Sequence, residues 1–149
     1  MLTFKKRWTL TIVETTKNFI FGGFTTAEWE TPPGDEYISK RDPHSFLFSV
    51  NENTKYPIAG RDRVAIGCYN GCSAYFGTYD FGIGSDSNKN NRSYCQANEP
   101  SFNLPAGKGS KFPSLNGGEH YFQLKQFEVY TVIVRITINI LFRNNEPRE

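Results

Sequence analysis

Phe19-Ile20-Phe21-Gly22-Gly23-Phe24-Thr25-Thr26-Ala27-Glu28-Trp29 is the stretch that decides the fold. Phe19 and Phe21 alternate with smaller residues, as a strand with one buried face requires, and Phe24 follows out of step with them. Gly22 and Gly23 interrupt the run, as at a bulge or where another backbone comes close. Thr25 or Thr26 is placed to cap one short helical turn ending on Trp29. A second run, Asp42-Pro43-His44-Ser45-Phe46-Leu47-Phe48-Ser49-Val50, reads as a turn feeding another buried strand. Pro43 fixes its own φ and bars a regular helix there.

The neighbouring segments extend the same pattern. Trp8 to Val13 is rich in β-branched residues and is expected to pair with Asn18 to Phe24 across Glu14-Thr15-Thr16-Lys17. Thr31-Pro32-Pro33-Gly34-Asp35 is a loop signal, and Asn51 to Lys55 is a polar connection. Val64-Ala65-Ile66 is a short apolar strand. Tyr75-Phe76-Gly77 and Tyr79 to Ile83 form a strand pair or one bent strand. Ser85 to Ser93 is polar and Asn-rich, an exposed loop. Cys95 to Gly118 has little periodicity, and loops of that length are often functional or mobile.

Tyr121 to Phe142 carries the strongest β signal. Val132, Val134, Ile136, Ile138 and Ile140 fall on one face, and Ile133, Arg135, Thr137 and Asn139 on the other. Open in water, such a strand is an aggregation hazard, so Val129 to Ile140 is expected to pair into the body with Arg135 and Asn139 toward solvent. The sum is seven or eight short strands, under about a fifth helix, in a mostly β fold. It is an antiparallel two-sheet β-sandwich with short helical turns.

With 149 residues the chain is one domain. Thirteen Phe, eight Tyr and thirteen Gly against one Met favour strands and tight turns. A net charge of +2 points neither to nucleic acid nor to an acidic substrate. Lys5-Lys6-Arg7 is a basic cluster too small for firm membrane anchoring. The first residues lack a signal-peptide apolar run, and no stretch spans a bilayer; the nearest, Val129 to Phe142, is broken by Arg135 and Asn139. Three cysteines fit reduced thiols, and a cytoplasmic location is expected.

The chemistry-bearing residues form no convincing site. Cys68-x-x-x-Cys72 has a spacing zinc can use, with Cys95, His44 and His120 as further ligands, but no second close pair follows. Asp86-x-Asn88-x-Asn90 copies the start of an EF-hand loop. The copy then fails, with Asn91 where Gly is required and Ala97 where Glu is required. Gly82-x-Gly84 lacks the third glycine and the helix of a dinucleotide site. Neither histidine has a nucleophile signature around it. Asn91-Arg92-Ser93 has the form of a glycosylation sequon, which matters only in a secreted chain. No cofactor, no metal and no catalytic residue are therefore expected.

Taken in order, these segments resemble the TLDc domain. Its sequences carry an aromatic-Gly-Gly-aromatic-Thr segment ending in Trp, then an Asp-Pro-like turn into a Phe-Leu-Phe-Ser strand. The later parts match Ala65 to Tyr69, Phe76-Gly77, Asp80 to Ile83, Ser85 to Asn91 and Phe127 to Tyr130. The resemblance covers roughly Leu10 to Val132, leaving residues 1–9 as an extension and 133–149 as a C-terminal strand and tail. Family members usually have a helical segment and a strand before the position of Leu10. The C-terminal strand could fill that edge. The resemblance implies a β-sandwich with short helices, a non-enzymatic role in protection against oxidative stress, and binding to subunits of the vacuolar proton-pumping ATPase. It supplies no agreed catalytic residues. Trp29, Asp42, Asp86 and Asn88 are the candidate interaction surface. The rival class is an extracellular sandwich that binds glycan or calcium through the Asn-rich and aromatic loops; a cysteine or histidine hydrolase ranks last.

Overall fold

Alternation of large apolar and small polar residues recurs through the chain, and in the computed structural model it becomes eleven strands in two antiparallel sheets. The structure describes residues 2–70, 74–96 and 100–138, with side chains left out at 2–6 and 134–138. Strand accounts for 46% of the chain and helix for 2%. The first sheet is ordered β11-β1-β2-β4-β5: β1 (Leu2–Thr15), β2 (Ile20–Thr25), β4 (Phe46–Ser49), β5 (Thr54–Pro57) and β11 (Leu124–Ile138). The second is ordered β10-β9-β8-β7-β6-β3: β3 (Tyr37–Lys40), β6 (Ile66–Tyr69), β7 (Ala74–Phe76), β8 (Phe81–Ile83), β9 (Ser93–Cys95) and β10 (Tyr121–Phe122).

The core forms where the inner faces meet. Val13, Phe21 and Leu47 from the first sheet face Ile66, Phe76, Phe81, Ile83 and Phe122 from the second. Phe21 packs edge-on to both Phe81 and Phe122, at centroid distances of 5.5 and 5.4 Å. Burial of each such side chain is worth about 1.5–3 kcal/mol, so these rings fix the spacing of the sheets.

The glycine pair is a close approach and not a bulge. Pairing runs unbroken from Val13↔Phe21 to Thr9↔Thr25 through Gly22 and Gly23. A Cβ on Gly22 would lie 1.8 Å from the Thr11 carbonyl oxygen, and one on Gly23 would lie 2.5 Å from the Phe76 ring. The helical turn expected at Thr25 to Trp29 does not form. Thr26 and Ala27 bend instead: the Thr25 and Thr26 hydroxyls donate to Asp42, and the Ala27 amide donates to the Thr25 hydroxyl oxygen at 3.1 Å without a helix following. The single helical element among the described residues is a 3-10 turn at Ser114–Asn116.

The segment after β9 is irregular but packed. Phe102, Leu104, Leu115 and Asn116 are buried in it, and Ile58 bridges Phe102. Long and unpatterned in sequence, it forms part of the core lining.

The C-terminal strand pairs with β1 from Val13↔Phe127 out to Leu2↔Ile138. The expectation of a covered face fails within the described residues. Strand β11 is the outermost strand, and Val132, on the face expected to be covered, is 40% exposed; Val129 and Ile133, on the opposite face, are 51% and 57% exposed. Beyond Arg7↔Ile133, β1 and β11 pair only with each other, a ribbon past the end of β2. Asn139 and Ile140 lie outside the described residues, as do Cys72 and Ala97.

Candidate functional site

Asp42 is a structural node. Its carboxylate is 3% exposed and accepts from the Thr25 hydroxyl (2.9 Å), the Thr26 amide (2.7 Å) and hydroxyl (2.9 Å), and the His44 amide (3.0 Å). Burial alone would raise its pKa, but the four donors outweigh burial and hold it below the ordinary carboxylate value. Trp29 is half-buried: its indole N–H donates to the Thr9 hydroxyl at 2.9 Å and its ring meets Phe76 edge-on.

Asp86 and Asn88 are exposed at the other end of the sandwich. The Thr9↔Thr25 pair anchors the Trp29 and Asp42 end, whereas the Leu124 amide donates to the Ser87 carbonyl beside Thr15. Six residues of β1 separate the two ends, roughly 20 Å. The structure therefore does not gather Trp29, Asp42, Asp86 and Asn88 into one patch. The Asn-rich loop is also bonded to itself. Asp86 takes a left-handed φ of 51°, Asn90 bonds the Ser85 carbonyl and the Arg92 amide, and Gln123 donates to the Asn88 carbonyl. Beside it lies a polar cleft of about 250 Å³ between Asn91, Gln123 and the exposed Lys17–Glu119 ion pair of 2.5 Å.

The metal-type residues are dispersed. Cys68 is on β6 and Cys95 on β9, with β7 and β8 between them, so their strands are roughly 14 Å apart. Among the described residues no group of three His, Cys, Asp or Glu side chains converges. His120 stacks between Phe112 and Tyr121 at 4.6 and 4.0 Å. Cys95 is fully buried, and burial, with a contribution from the neighbouring Asp80 charge, pushes its thiol pKa up, away from the thiolate a nucleophile needs. Asp80 itself is 1% exposed, and burial raises it to about 6 against the opposing pull of the Phe102 and Ser101 amides, each at 3.0 Å.

Among the described residues, large apolar side chains stand open on β11, where Phe127, Val129, Tyr130, Val132 and Ile133 are 40–57% exposed, and on the outer face of the second sheet. Register places Tyr121, Tyr94, Gly82 and Tyr75 side by side across β10, β9, β8 and β7. Tyr37 and Tyr69 pair on β3 and β6 along the same face. The glycines make room for the rings: a Cβ on Gly67 would lie 2.5 Å from the Tyr37 hydroxyl, and one on Gly82 would lie 3.0 Å from the Tyr94 ring. Tyr75 meets Tyr37, Tyr79 and Tyr94 edge-on, at 6.3, 6.3 and 5.9 Å. Tyr37, Tyr69, Tyr79 and Tyr121 are each 41–53% exposed. Four tyrosines and Thr78 enclose an open groove of about 380 Å³. These residues are scattered through the sequence, and only the strand order assembles them. The Gly-for-side-chain alternation on β6 and β8 is the one sequence signal that could have exposed the face.

The fold and this face define a class: an antiparallel β-sandwich with an open aromatic surface. The TLDc domain model matches residues 2–133, and the chain belongs to that family. The match begins in β1 at residue 2, ahead of the Leu10 start expected from the sequence. A comparison with curated proteins found no match.

Proposed function

We propose that this chain is a non-enzymatic docking module of the cytoplasm that binds subunits of the vacuolar proton-pumping ATPase and acts in protection against oxidative stress. The exposed tyrosine face carries the reading. Contiguous exposed aromatic surface rimmed by polar residues is characteristic of protein-binding sites, where Tyr is enriched. The chemistry-bearing residues are committed elsewhere: Asp42 and Asp80 to backbone amides, Cys95 to the core, His120 to a ring stack. The pump as partner and the stress role come from the family resemblance. Among the described residues no helix is long and apolar enough to cross a membrane. Affinity capture with the chain from cell extract tests the reading. Pump subunits should be retained in stoichiometric amount; their absence under conditions that keep the pump intact would overturn it.

A further inference from the structure

The groove between Tyr37, Tyr69, Tyr75, Thr78 and Tyr79 differs from the cleft near Lys17 in holding no charged side chain among the described residues. Among the described residues its walls are tyrosine rings, and the side-chain polar groups lining it are hydroxyls. The Tyr37 phenol is pushed up to about 12 by burial first and then by Tyr75, Tyr79 and Cys68, so it keeps its proton and remains a donor at neutral pH. The groove suits an apolar, extended chain whose own carbonyls lack partners. A polyproline II segment is such a chain: it has no internal hydrogen bonds, and its fixed φ lowers the entropy lost on docking.

The dimensions agree. Tyr69 lies three residues along β6 from Ile66, and Thr78 lies two residues beyond Phe76, the partner of Ile66. Three residue steps of strand from Tyr69 to Ile66 span roughly 10 Å, which is about three residues of polyproline II at its ~3.1 Å rise, and Thr78 and Tyr79 sit in the turn beyond β7 at that end. The charges at one end add direction. Asp35 and Glu36 are exposed immediately before Tyr37. They would favour a basic residue beside the prolines.

We propose that this groove docks a proline-rich segment of a partner protein, with a lysine or arginine flanking the prolines at the Asp35–Glu36 end. The proposal deepens the docking reading by naming the chemistry that the tyrosine face recognises. A bare organic cation is the weaker fit, because among the described residues no carboxylate lines the groove to replace its lost water.

The test is a fluorescence-anisotropy titration of the full chain with a labelled synthetic peptide of ten prolines carrying one terminal arginine. Tyr79→Ala should weaken binding at least about tenfold, the effect of a hot-spot aromatic. Tyr79→Phe, which keeps the ring, should lose much less. Val50→Ala, exposed just after β4 and outside the tyrosine face, should bind as the parent does. Asp35→Asn with Glu36→Gln should weaken binding a few-fold and flatten its salt dependence. Absence of saturable binding would overturn the proposal, as would equal binding to Tyr79→Ala with an unchanged melting curve. Equally tight binding of an arginine peptide without proline would overturn it in favour of a cation site. Pump capture that survives Tyr79→Ala would sink the groove while leaving the docking reading standing.

Discussion

Asp80 offers the sharpest physical test of the fold. Its carboxylate ties the long irregular segment to the second sheet through the Ser101 and Phe102 amides, and the Thr78 amide bonds the Ser101 hydroxyl beside it. Gly77, at φ 69°, leaves the space: a Cβ there would lie 1.8 Å from an Asp80 oxygen. Burial raises the Asp80 pKa from 3.8 to about 6. A raised carboxylate pKa means that the folded state holds the proton more tightly than the unfolded state. The associated stability is complete below about pH 4 and is lost as pH climbs through 6. At about 1.36 kcal/mol per pH unit of separation, the loss is roughly 3 kcal/mol. Asp80→Asn keeps the shape and cannot titrate. Urea unfolding of both proteins from pH 4 to 7.5 should therefore show the variant gaining on the parent by about 3 kcal/mol as pH rises. A flat difference, or a parent that gains on the variant, would mean that the two amides outweigh burial and that the reasoning is wrong.

Three further outcomes follow from the same geometry. Asp42→Ala strands four donors and should cost about 3–5 kcal/mol by chemical denaturation; because its pKa is lowered, the Asp42 contribution is present above the ordinary carboxylate range and fades on acidification, opposite to Asp80. Gly22→Ala drives a Cβ into the Thr11 carbonyl and should lower the melting temperature by more than Gly34→Ala, where nothing lies within 4 Å and only a φ of 58° is strained by about 1 kcal/mol. Truncation after Val132 removes the β1–β11 pairs from Arg7↔Ile133 outward; since an isolated two-stranded ribbon is marginal, the melting temperature should fall only slightly.

What the sequence disclosed tracks how local the determinants are. The β1–β2 hairpin was legible because Phe19 and Phe21 alternate with smaller residues and Trp8 to Val13 is rich in β-branched residues. The Asp42 turn into β4 was legible because Pro43 and the Phe46-Leu47-Phe48 run are local signals. Strands β3 and β5 were not: Tyr37-Ile38-Ser39-Lys40 and Thr54-Lys55-Tyr56-Pro57 owe their extension to partners β6 and β4. Asp42 was legible as a turn residue but not as a four-donor acceptor, because Thr25 and Thr26 reach it only after β2 and β4 pair. The tyrosine groove was invisible for a related reason. Tyr37, Tyr69, Tyr75 and Tyr79 share no motif, and the order β7-β6-β3 alone brings them together. The tail was legible as a strand but not as an edge, since alternation reports faces and not neighbours.

The central claim is that the chain acts by docking through its tyrosine face. The most direct measurement is the affinity of purified vacuolar proton-pump complex for the immobilised chain, compared between the parent and a Tyr69→Ala, Tyr79→Ala double variant that melts normally. The account predicts saturable binding by the parent and at least about tenfold weaker binding by the variant. No binding by the parent, or equal binding by both, would contradict it.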